Sequence, residues 1–166
     1  MDLSRFDDRA SASTCAWREK KALPEGQAIG RSRGGPTTKI HLICDGKGLP
    51  VHFRLTGGNI HDSTMAELML EETKRAGEHT VADKGYDSDA IREKIEDLGS
   101  TPVIPFKSNR KNPGKLKKKI YRMRHRVENV FCSLKQYRGF ATRYEKLALH
   151  YAGVVAMACV MLWLKN

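Results

Sequence analysis

The sequence predicts a mixed α/β domain in which helices cover a sheet. Three observations predict it. Two stretches with strand-like alternation, 38–44 and 51–55, flank a turn; two short apolar strands, 80–82 and 101–106, enclose a helix-periodic stretch; and two long helical patterns, 119–137 and 144–164, close the chain. At 166 residues the chain has the length of one domain, and it carries no internal repeat.

Residues 1–23 are polar and carry no sustained period, with Asp2, Asp7, Asp8, Arg9 and Arg18 scattered among small residues. This segment is expected to pack poorly, which leaves 24–166 as the folded core. Gly30-Arg31-Ser32-Arg33-Gly34-Gly35-Pro36 is a glycine and proline cluster that reads as a loop feeding a strand. In that strand Ile40, Leu42 and Cys44 alternate with Lys39, His41 and Ile43, and Val51, Phe53 and Leu55 repeat the pattern. Asp45-Gly46-Lys47-Gly48 between them is turn chemistry, so the two form a hairpin. Asp62-Ser63-Thr64 with Glu67 has the capping-box pattern and starts a helix running to residue 76. Thr80, Val81 and Ala82 form a buried strand ending at Asp83, Ser88 to Leu98 a helix through Ile91 and Ile95, and Thr101 to Phe106 a further strand.

Lys and Arg number 30 against 19 Asp and Glu, a net charge of +11, which points to a polyanionic partner. Cys15, Cys44, Cys132 and Cys159 lack the close pairs of zinc or thioredoxin-like sites and read as reduced, buried thiols. No export signal precedes the core, so the chain is expected in the cytoplasm. Tyr151 to Leu164 is nearly all apolar but falls short of the roughly 20 residues a span requires, and reads as a core or subunit-interface helix, with no membrane partner. A homodimer would use that helix. Gly35 is followed by Pro36, so the order of a nucleotide-binding phosphate loop is absent. His61-Asp62 reads as a solvated histidine beside a capping aspartate.

The sharpest local pattern lies in the helix from about 119. Tyr121, Arg124, Glu128 and Lys135 fall within about 60° of one another at about 100° per residue, so they share one face. Ile120, Met123, Val127, Val130, Phe131 and Leu134 form a neighbouring stripe that faces the core. Alone, Arg124 and Glu128 would be an ordinary surface pair and Asp83 a turn residue. Asp83, however, ends an apolar strand, where sites in α/β sheets gather. Phosphodiester cleavage uses paired divalent ions held by carboxylates that converge from distant positions. Asp83 and Glu128 are candidates for holding Mg²⁺ (or Mn²⁺), with Lys135 or Arg124 holding a phosphate. From Lys107 to Arg126 ten residues are Lys or Arg and none is acidic, with Lys117, Lys118 and Lys119 adjoining the helix. Such a block positions DNA through phosphates without reading sequence.

Three motifs, Gly30-Arg31-Ser32-Arg33-Gly34-Gly35-Pro36-Thr37-Thr38-Lys39, Ala82-Asp83-Lys84-Gly85-Tyr86-Asp87 and Tyr121-x2-Arg124-x3-Glu128-x6-Lys135, resemble the transposases of the IS5 group within the IS4-like class of bacterial insertion sequences. The resemblance runs from about Pro24 to the C-terminus. It implies a ribonuclease-H-like mixed sheet flanked by helices, with its N-terminal part truncated, and DNA cleavage and strand transfer at the element's ends by two Asp and one Glu holding Mg²⁺. Asp83 matches the second acid and Glu128 the third; Tyr121, Arg124 and Lys135 match residues that grip DNA near the cut. The first acid normally precedes Ser-Thr, and here Ala12 stands before Ser13-Thr14, which implies weak or absent activity for this chain alone. The resemblance also implies an upstream transposase half. The alternative is a non-catalytic DNA-binding or regulatory fragment, so whether the chain acts as an enzyme stays open at this point.

Overall fold

A computed structural model describes residues 26–32, 35–74, 77–110 and 114–165. Segment 1–23, with Asp7, Asp8, Ala12 and Cys15, lies outside them, as do Arg33, Gly34 and Lys111. Three antiparallel strands form the first sheet: β1 (Gly30–Ser32), β2 (Gly35–Cys44) and β3 (Pro50–Gly57). The expected loop at 30–36 is thus partly a strand. Glycines let it pack against the turn after β3, since a Cβ on Gly30 would stand 1.9 Å from Asn59 Oδ1, and one on Gly58 of that turn would stand 1.9 Å from Thr37 Oγ1. The hairpin forms as expected, pairing Ile40 with Leu55 and Leu42 with Phe53. Ile40, His41 and Leu42 are all buried because both faces of β2 are covered, unlike a strand with one solvated face.

Helix α1 (Asp62–Thr73) crosses one face of this sheet. The capping box does not form: His61 occupies the cap position without a side-chain bond, and Asp62, the first helical residue, accepts from Lys39 Nζ at 2.9 Å. A lysine on β2 outcompetes the helix end for that carboxylate. The helix stops at Thr73, before residue 76, because Lys74 turns left-handed at φ 47°. Strands β4 (His79–Val81) and β5 (Thr101–Val103) pair in parallel, joined by α2 (Asp89–Asp97). Ser88 caps α2 by accepting from the Ile91 N–H. β5 ends before the expected Phe106; Pro105 has no N–H to offer a ladder, and the Lys107 N–H bonds to Asp87 instead. The hydrogen-bond ladders make two sheets, an antiparallel triple and a parallel pair, rather than one continuous mixed sheet.

The expected helix 119–137 divides into α3 (Lys118–Tyr121), a 3₁₀ turn at Arg122–Arg124 and α4 (His125–Leu134). Its core stripe begins only at Val127. Val127, Val130, Phe131 and Leu134 are buried, whereas Met123 is exposed and Ile120 half-buried, because the tightened turn shifts the first residues off the core face. A short α5 (Arg138–Ala141) leads to α6 (Ala148–Lys165), in place of one helix from 144.

Two apolar clusters result. One joins Ile40 and Leu42 of β2 to α4, Phe140 and the Tyr151, Val155, Ala158, Cys159 and Leu162 face of α6. The other joins α1, α2, Ala82, Tyr86 and Ile104, with Ile43 from the opposite side of β2. The opposite face of α6 is exposed at Leu149, Met157, Val160, Met161, Trp163 and Leu164. Helix α6 is long and apolar enough to cross a membrane by length and composition, and the expectation that it belongs to the core holds for one face only. The cysteines also divide: Cys159 is buried and its thiol pushed up to about 11 by burial, but Cys132 is exposed.

Candidate active site

Asp83 stands two residues past the C-terminal end of β4, held by the packing of Ala82 and Tyr86 in the second core. Its carboxylate is exposed and accepts from the Lys84 N–H at 2.8 Å, opening the 3₁₀ turn Lys84–Tyr86. Strand end and turn together aim a charged group outward from a buried anchor.

Tyr121, at the end of α3, reaches that carboxylate from 38 residues away, its hydroxyl donating to Asp83 Oδ1 at 3.4 Å. The Arg124 guanidinium lies 5.9 Å from the Tyr121 ring centre and its Nη2 contacts Glu128 Oε1 at 2.8 Å. Asp83, Tyr121, Arg124 and Glu128 therefore form one row that joins the two candidate acids through an aromatic ring and a guanidinium. Lys135 caps the far end of α4 and is exposed. Lys117 precedes α3 and Lys118 and Lys119 open it, so these three and Lys135 flank the row along the helical run rather than sitting within it. Both acids are oxygen donors in water, the kind of set that holds a hard divalent cation with help from substrate phosphate. Among the described residues no group of three or more His, Cys, Asp or Glu is placed to hold a metal ion.

Asp87 was not singled out by sequence reasoning, although it closes the Ala82–Asp87 motif. Its side chain is 1% exposed. Oδ1 accepts from Arg92 Nε at 2.9 Å, Arg92 Nη2 at 2.8 Å and Arg110 Nη1 at 2.9 Å, and Oδ2 accepts from the Lys107 N–H at 2.7 Å. Burial raises its pKa, but the Lys107 N–H and the two guanidiniums outweigh burial and hold it below the usual carboxylate range. Arg110, counted with the DNA-facing cations from the sequence, is thus engaged internally, and it also pairs with Asp89. Only a buried aspartate within reach of separate cations could have signalled this, and one-dimensional spacing does not carry that information.

Arg143 was missed as well. It donates to Thr38 Oγ1 at 2.6 Å and to the Gln27 carbonyl at 2.9 Å, fastening the start of β1 and β2 to the segment before α6. His41, buried beneath α1, shares a 2.7 Å hydrogen bond with Thr56 Oγ1, and burial lowers its pKa. His61 is exposed, as expected.

The Transposase DDE domain family profile matches residues 13–163. The chain is 36% identical over 130 residues to a putative transposase for insertion sequence element IS6501 from Brucella ovis, a match covering 78% of this chain and 99% of that protein. It is 27% identical over 142 residues to a putative transposase for insertion sequence element IS402 from Burkholderia cepacia, covering 79% of this chain and 65% of that protein. No solved structure matches.

Proposed function

The chain belongs to the Transposase DDE domain family, and from that premise we propose that it is an insertion-sequence transposase of the IS5 group that cuts and joins DNA at the element's ends. The observation that carries this reading is the row from Asp83 through Tyr121 and Arg124 to Glu128. Asp83 and Glu128 would hold Mg²⁺ (or Mn²⁺), with substrate phosphate completing the coordination. The bound ions would activate the attacking oxygen and neutralise charge on the leaving one. Around them the chain's own groups orient the substrate. Tyr121 guides the Asp83 carboxylate, Arg124 presents a guanidinium beside Glu128, and Lys135 with Lys117, Lys118 and Lys119 grips the flanking phosphates of double-stranded DNA. We read residues 24–166 as a ribonuclease-H-like core on the strength of the family match and of the element order, antiparallel strands followed by a strand-helix-strand unit and terminal helices. The enzyme would work in the cytoplasm on its own element.

Ala12, at the place of the family's first acid, leaves the acidic set one short, so this chain alone is proposed to cleave weakly and to need the missing carboxylate, or an upstream half, for full activity. The test is Mn²⁺-dependent nicking of DNA carrying the element's ends by the unmodified chain, Ala12→Asp and Asp83→Ala. We expect Ala12→Asp to raise cleavage and Asp83→Ala to abolish it. DNA binding without cleavage in every variant would favour the non-catalytic fragment instead. Full cleavage by the unmodified chain would refute the incomplete site.

A further inference from the structure

Resting on the DNA-cleaving reading, we propose that Asp87 is a positioning residue that sets where the basic segment meets the substrate. Asp83 and Asp87 are the two ends of one turn: the Tyr86 N–H donates to the Asp83 carbonyl at 3.0 Å, the Asp87 N–H donates to the Lys84 carbonyl at 3.2 Å, and Tyr86 between them is buried. A shift of one aspartate therefore moves the other. From the Asp87 end, the carboxylate clamps Lys107 and Arg110, where the run of cations begins.

The clamp also extends to the Phe106 ring. Arg92, held by Asp87, donates through Nη2 to the Ile104 carbonyl at 2.8 Å, and its guanidinium lies 4.4 Å from the Phe106 ring centre. Arg110 approaches the same ring at 5.7 Å. Gly114 comes back to it so closely that a Cβ there would stand 3.0 Å from Phe106 Cζ. Arg110 and Gly114 thus both meet a single ring whose cations Asp87 fixes. From Gly114 the chain passes through Lys115 and Lys117 to α3, where Tyr121 bonds Asp83. The path from Asp83 to Asp87, through Phe106 and α3, and back to Asp83 closes on itself. In that closed path Asp87 holds the lysines in register with the candidate metal-holding acid.

The sign of one measurement separates this role from simpler ones. Removing a carboxylate near a basic face should strengthen DNA binding through charge alone, whereas loss of positioning should weaken it. Affinity for a short duplex DNA would be measured against salt from about 50 to 200 mM for the full chain and Asp87→Asn, with circular dichroism reporting the folded fraction. We expect Asp87→Asn to bind several-fold more weakly, with the salt slope reduced by about 0.9 to 1.8, the equivalent of one or two phosphate contacts. Affinity or slope that stays the same or rises in folded Asp87→Asn overturns the proposal. If Asp87→Asn does not fold, Arg110→Ala and Arg110→Lys decide. A slope loss in Arg110→Ala well beyond one contact, partly restored in Arg110→Lys, supports anchoring, and a loss of one contact or less overturns it. Binding is read without cleavage, so an inactive chain would sink the cleavage reading and leave this measurement intact.

Discussion

The Tyr121 hydroxyl donates to Asp83 Oδ1 at 3.4 Å. This bond is long for an O–H donor, so it guides the carboxylate rather than locking it. It is nevertheless a direct tie between the strand end and the helical run bearing Glu128.

Tyr121→Phe keeps the ring beside Arg124 and removes only the donor. A bond this long and exposed is worth about 0.5 kcal/mol net, so cleavage by the Ala12→Asp chain should fall roughly twofold when Tyr121→Phe is added. Single-turnover nicking against Mn²⁺ concentration checks this. The loss should appear mainly as a shift of the curve to higher Mn²⁺ concentration, with duplex affinity unchanged; an unaltered curve would remove Tyr121 from the positioning of Asp83.

His41 gives the fold a pH-dependent weakness. Burial lowers its pKa from the ordinary 6.5, with nearby Asp62 opposing and Lys39 assisting. The folded state therefore binds this proton less readily than the unfolded chain. Stability is complete above about 6.5 and declines as pH falls below it toward the folded value. Thermal melts from about pH 7.5 to 5 should show this decline in the unmodified chain and a flatter profile in His41→Gln. Equal slopes in the two proteins would count against a buried, neutral His41.

Phe140 is wholly buried between α4 and α6, and its carbonyl accepts from the Tyr151 hydroxyl at 2.9 Å. Phe140→Ala should cost about 3–5 kcal/mol, lowering Tm by on the order of 10 °C in a chain of this size. Leu149→Ala, at an exposed position of the same helix pair, should change stability by no more than about 0.5 kcal/mol. Calorimetry or denaturant melts of both variants would check the contrast; similar losses would contradict the division of α6 into a buried and an open face.

The hairpin, the βαβ unit and the existence of the late helices were legible because each depends on local periodicity. Ile40, Leu42 and Cys44 alternate as a strand must, and Ile91 and Ile95 repeat as one face of a helix must. What sequence reasoning missed depends on competition among distant groups. Thr64 and Glu67 offer a capping box, but nothing local reveals that Lys39 will claim Asp62. Met123 looks like a core residue until the 3₁₀ turn carries it outward. Asp83 and Glu128 could be named as candidates from a strand end and a helix face, and the Tyr121 and Arg124 contacts bring them into one row. Asp87 required knowing that Arg92, Lys107 and Arg110 converge, and no periodicity encodes that.

The 3₁₀ turn at Arg122–Arg124 has a genetic consequence. In such a turn residues three apart eclipse, which suits the interval from Tyr121 to Arg124, while the α-helical turn that follows suits the four-residue interval from Arg124 to Glu128. Reading-frame length across these eight codons is therefore constrained more tightly than the identity of any single codon between them. A missense change at Arg122 or Met123 alters one side chain on a solvent-facing turn. Deleting either codon would rotate Tyr121 by about 120° about the helical axis relative to Glu128, out of line with the Asp83 carboxylate it now meets.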